Sequence, residues 1–195
     1  RRQGSRAAAV SAVCRRGLEI FILAFLFRIQ AFVLSPGSHP VTLFRVDILN
    51  IMGPGIVGAG LVWGLAASTR TLVALYAAIA VAISMVTPIV RTSALVGVWP
   101  TWVQWYLTSA GDNTTFTGFP WVGFVFAGGA VGAAIAAVQE PAAERRLQVW
   151  LAVVGAGLVA AGFYAASLPS LYRQSSFWTT SPTYFSIRVG VLMFT

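Results

Sequence analysis

Lysine is missing from this chain of 195 residues, and cysteine and histidine occur once each. The lone Cys14 excludes a disulfide framework, so the compartment cannot be read from thiols. With His39 the only histidine, no group of Cys, His, Asp and Glu has metal-ligand spacing, and no metal is expected. Paired carboxylates and a serine elbow are also absent, which removes two common hydrolytic arrangements. Charge is scarce as well: 9% of residues carry it, against about 25% in soluble domains. Such a chain cannot clothe itself in polar surface. That excludes a soluble globular domain and, despite a net charge of +8, a nucleic-acid-binding face.

What is present in quantity is apolar. Hydrophobic residues make up 57% of the chain, and the mean hydropathy is +0.79. Five runs reach the length of roughly 20 residues that a bilayer-spanning helix needs: 17–34, 43–67, 72–90, 119–138 and 147–168. The second is interrupted by Gly53-Pro54-Gly55, and a sixth, shorter run begins near Tyr184. The expected fold is all-α, a polytopic transmembrane helix bundle forming a single domain over 1–195. Because the chain starts without Met and stops inside an apolar run, an internal segment of a longer protein is expected.

All 13 basic residues are Arg, and they fall into three groups. Alternating crossings put Arg1, Arg2, Arg6, Arg15, Arg16, Arg70, Arg145 and Arg146 on one side, and Arg91 and Arg173 in loops on the other. The positive-inside rule makes the first side cytoplasmic, with 1–16 a cytoplasmic Arg-rich segment and 91–118 an outer loop. A bacterial inner or plasma membrane is expected. Arg28, Arg45 and Arg188 remain, in or at the ends of apolar runs.

An ionised side chain at bilayer depth costs about 2.5 to 3.5 kcal/mol even on lenient scales, so it faces a cavity or a partner. Arg28, Gln30, Arg45, Asp47, Asn50 and Arg188 share one depth in the outer half and are the candidate cavity residues. An Arg28–Asp47 pair across antiparallel helices is expected, and an inter-helix ion-pair role competes with a cavity role at each position. Glu19, near Arg15 and Arg16, suits an interfacial ion pair. Arg15, Arg16, Arg70, Arg145 and Arg146 would converge at an inner mouth, where topology alone explains them or they form a phosphate-binding rim.

The small-residue pairs Gly60/Gly64 and Gly128/Gly132 read as helix-packing faces. Trp99, Trp102 and Trp105 recur every three residues and suggest a short interfacial amphipathic helix, or a sugar-stacking platform. Asn113-Thr114-Thr115 matches a glycosylation sequon on the outer side.

Three stretches resemble successive parts of one family. They are Arg15-Arg16-Gly17-Leu18-Glu19-Ile20-Phe21 with Ala24-Phe25-Leu26-Phe27-Arg28, then Phe44-Arg45-Val46-Asp47-Ile48-Leu49-Asn50-Ile51-Met52-Gly53, then Phe119-Pro120-Trp121 with Gly123 and Gly128. The family is that of the heparan-α-glucosaminide N-acetyltransferase-like transmembrane acyltransferases. Ser181-Pro182 with Ile187-Arg188 and Gly190 is similar to a further segment of it. The resemblance implies an enzyme that takes an acyl group from cytoplasmic acetyl-CoA and passes it to a sugar or glycan on the outer side. Acetyl-CoA is then the donor, membrane lipid and the glycan acceptor are partners, and a homodimer is compatible. The family's catalytic histidine belongs to an outer loop ahead of this region, and His39 does not match its setting, so no residue here takes that role. A transporter or flippase component is the competing expectation, with Arg28, Asp47 and Arg188 lining an intramembrane polar path, and the interrupted second run favours it slightly.

Overall fold

The computed structural model describes residues 2–35, 37 and 39–194, with side chains from Arg6 onward. Arg1 lies outside the described residues. Among the described residues seven α-helices follow one another: α1 Arg2–Leu34, α2 Ile48–Leu65, α3 Thr69–Thr92, α4 Thr101–Leu107, α5 Gly118–Ala136, α6 Pro141–Ala166 and α7 Pro182–Phe194. Short 3-10 turns at Pro40–Phe44, Ala94–Val98 and Gly111–Asn113 connect them. Five helices are long and apolar enough to cross a membrane, including Arg6–Leu34 of α1. The protein is an all-α polytopic bundle with membrane-spanning character, as its hydropathy requires.

Helices pack in antiparallel pairs, α1 on α2, α3 on α5 and α6 on α7. Contacts of α2 with α5 and α3, and of α7 with α3 and α5, join the pairs. α1 and α6 therefore stand at opposite ends of the contact order. The buried centre is Leu72, Tyr76, Ala80, Phe126, Ala130 and Phe185. Its one polar group is answered, since the Tyr76 hydroxyl donates to Ala59 O at 2.6 Å.

The interruption expected in the second run does not occur: α2 continues through Pro54. A proline costs one ladder bond, whereas unwinding would strand several backbone groups in a medium that cannot hydrate them. The flanking glycines serve close approach instead. A Cβ on Gly53 would lie 2.7 Å from Phe21 Cβ and 2.8 Å from Gly17 O. Without side chains at Gly17 and Gly53, the α1 and α2 backbones touch, the usual route to association where no hydrophobic drive separates helix from lipid.

The first helix also starts earlier than residue 17. Alanines at 7–9 and 12 are strong helix formers, and α1 lies along α2 from Arg6 to Arg28. Val10 meets Gly64, and Val13 with Cys14 meets Gly60. At the foot of the pair, Arg6 donates to Trp63 O at 2.6 Å and to Ala66 O. These carbonyls belong to the C-terminus of α2, where a cation satisfies orphan acceptors and opposes the helix dipole. Gly60/Gly64 is thus a packing face. Gly128/Gly132 is not one among the described residues, because a Cβ at either would meet nothing within 4 Å. A small-residue motif marks where a helix surface is flat, and another element must still arrive to cover it.

Candidate functional site at the α4 end of the bundle

The segment entering α2 is tied to the loop that follows α4. Val46 N–H donates to Asn113 O at 3.0 Å, and Thr115 N–H donates back to Val46 O at 3.0 Å. Val46 is fully buried between them, against Ile51 and Trp105. Gly111, at φ +55, turns the chain into this loop in a conformation open to glycine. The sequon residue Thr114 is buried in the same clamp.

Charged side chains gather around it. Arg28 of α1 is ion-paired with Asp47, and Arg45 Nη2 donates to Thr115 Oγ1 at 3.2 Å. Asn50 accepts the Asp47 N–H at 3.0 Å through Oδ1, the reciprocal half of a capping box at the start of α2. Asn50 is buried and also meets the Tyr106 hydroxyl of α4. Burial pushes the Tyr106 phenol above its ordinary value, and the Asn50 hydrogen bond opposes that in part.

Sequence reasoning missed Arg91, which it placed in a loop. The residue belongs to the last turn of α3, where its Nη2 donates to Thr117 Oγ1. Thr117 in turn donates to Phe119 O at 2.6 Å. A basic residue in a last helical turn was the available signal, since it suits the dipole. The Nε–H groups of Arg45 and Arg91 are both buried without a protein partner. Each is an uncommitted cationic donor enclosed by protein.

The candidate residues separate into distinct places. Arg28, Arg45, Asp47 and Asn50 are one constellation. Gln30 is exposed on α1. Arg188 stands over the ring of Trp121, 5.4 Å from its centroid, at the edge of the same cluster. It lines a groove of about 660 Å³ between α2, α5 and α7. The three tryptophans do not share a face: Trp105 is 7% exposed and anchors α4, whereas Trp99 precedes the helix and Trp102 is exposed. Seven residues are too few to hold three aromatics on one side when the first lies outside the helix.

The basic rim is dispersed. Arg15 Nε and Arg16 Nη1 bond Glu19 at 3.0 and 3.2 Å. Because Gly17 lies against Gly53 and Val57, this triad stands beside the middle of α2 rather than at its end. Arg70 is exposed in the first turn of α3, and Arg145 and Arg146 are exposed near the start of α6. With α1 and α6 at opposite ends of the contact order, the two Arg pairs are not brought together. His39 accepts the Val41 N–H at 3.3 Å and caps a turn. Among the described residues no three metal-ligating side chains meet.

No protein-family model, no curated protein and no solved structure matches the chain.

Proposed function

We propose that the protein is an integral membrane acyltransferase, moving an acetyl or other acyl group from acyl-CoA on the cytoplasmic side to a sugar or glycan on the other side. In this transfer the thioester C–S bond breaks and a C–N or C–O bond to the acceptor forms. The acceptor's proton ends on the CoA thiol. The observation that carries the proposal is the polar constellation at the α4 end, where Arg45 and Arg91 hold buried donors without a protein partner. Rigidly held donors suit a hydroxyl-rich acceptor or its carbonyl. The residues that resemble the acyltransferase family, Arg45, Asp47 and Asn50, build the same constellation.

We infer that the opposite end, which carries Arg6, Arg70, Arg145 and Arg146, is the cytoplasmic one, in a bacterial inner or plasma membrane. Arg70, Arg145 and Arg146 form no ion pair among the described residues and are exposed. They are free to meet the phosphates of acetyl-CoA, whose geometry Arg forks match. Arg15 and Arg16 would reach that donor from farther along α1. The interrupted second span that slightly favoured a transporter does not occur, because α2 is continuous.

Inside-out vesicles from cells expressing the gene, supplied with acetyl-labelled CoA, should accumulate label on a lumenal glycan. Vesicles from cells lacking the gene should not. Equal labelling of the two, with the protein inserted, overturns the proposal.

A further inference from the structure

We propose that the groove between α2, α5 and α7 is a site for one anionic phospholipid, its phosphate at Arg188 and an acyl chain along the groove. The walls are aliphatic and aromatic, with Met52 from α2, Val125 from α5, and Ile187 and Leu192 from α7. Met52 and Leu192 are exposed, so the groove opens sideways between helices, where a lipid can enter from the bilayer. Its length along α7, from Tyr184 to Leu192, is about 12 Å at 1.5 Å per residue. That suits an extended hydrocarbon segment. A free anion would gain nothing from these walls.

One cation interrupts the apolar lining. Arg188 Nη2 donates to the Tyr184 hydroxyl at 2.9 Å. The guanidinium carbon lies 4.3 Å from the Tyr184 ring centroid and 5.4 Å from that of Trp121. Tyr184 stands one turn nearer the start of α7, so the side chain reaches back toward the α4 end of the bundle, as a snorkelling arginine does. Trp121 stands beside the start of α5, at the same end. Among the described residues Arg188 has no carboxylate partner. Two aromatic rings hold the guanidinium, and only one of its five N–H donors is committed to Tyr184. The charge therefore lacks a counter-ion near the start of α7, at the head of an apolar slot. Charge complementarity selects an anionic headgroup, and the slot selects a chain. Both demands are met by one phospholipid.

The test uses the full chain purified in detergent and examined by native mass spectrometry with added phosphatidylglycerol or phosphatidylcholine. One phosphatidylglycerol per chain should bind with about a tenfold preference, the scale of a charge-assisted hydrogen bond. Arg188→Gln should abolish the preference, and Arg146→Gln should keep it. Met52→Trp, which fills the slot and leaves Arg188 in place, should weaken phosphatidylglycerol binding in chains that stay folded. Glycerol 3-phosphate, a headgroup without chains, should not compete. Undiminished preference in Arg188→Gln, equal loss in Arg146→Gln, unweakened binding in Met52→Trp or full competition by glycerol 3-phosphate would each overturn the assignment.

Discussion

Arg28 near the end of α1 and Asp47 at the start of α2 form an ion pair that joins the two helices at the α4 end of the bundle. The side chains are only 19% and 32% exposed. Removing one partner leaves the other charge poorly solvated. Breaking a fully buried pair costs about 3 to 5 kcal/mol, and this exposure reduces the expectation to about 1 to 3. Asp47→Asn or Arg28→Gln alone should lower the thermal midpoint in detergent. The double variant should cost less than the two single losses added, because it leaves no orphan charge. Strict additivity would show that the pair is not coupled.

Glycines at helix contacts and glycines on open faces should respond oppositely to alanine. A Cβ on Gly190 would sit 2.5 Å from Gly155 O, so Gly190→Ala forces α6 and α7 apart. A loss of more than about 2 kcal/mol is expected, typical of overpacking. At Gly128 a Cβ meets nothing within 4 Å. Gly128→Ala should be neutral or gain up to about 1 kcal/mol from helix propensity. Unfolding of the two variants in one detergent compares them directly.

Glu19 neutralises part of the charge that Arg15 and Arg16 place beside the middle of α2, where their side chains are 82% and 75% exposed. Glu19→Gln leaves two uncompensated cations on that face of α1. The fraction of chain resisting alkaline extraction from membranes should fall, and Glu19→Asp should restore part of it. A variant that extracts like the parent chain would show that this face is already covered by other charges.

Tyr106 titrates with a defined sign. Burial favours its neutral form, so its pKa in the folded protein lies above the ordinary tyrosine value of about 10. The corresponding stabilisation is complete below the unfolded pKa and is lost as pH rises through the folded one. Tyr106→Phe should therefore show a shallower fall in stability above pH 10 or so. Phenolate absorbance of the parent should contain one late-titrating component that the variant lacks.

How much was legible in the sequence differs between elements. The five long helices needed only hydropathy and length, because lipid allows few other backbone arrangements. Arg28 with Asp47 was accessible too, since two opposite charges at one depth have few other partners. Gly53-Pro54-Gly55 misled, as the same residues signal a break in water and a close contact in a bilayer. Arg91 looked like a loop residue because α3 extends to Thr92, two residues past its apolar run.

By itself the sequence determined that this chain lives in a membrane as an all-α bundle, since its composition leaves no polar surface for water. Tertiary structure decided which charges meet. Arg45 and Asp47 are two residues apart, yet Arg45 goes to Thr115 and Asp47 to Arg28, on different elements. Arg188 was placed by depth alone in the sequence, and only the packing of α7 beside α2 and α5 set it over Trp121 at the head of a groove. Hydropathy is a local property that each segment carries with it. Partnership depends on how helices distant in the chain rotate and stack, and glycine contacts such as Gly17 with Gly53 and Gly155 with Gly190 set that geometry.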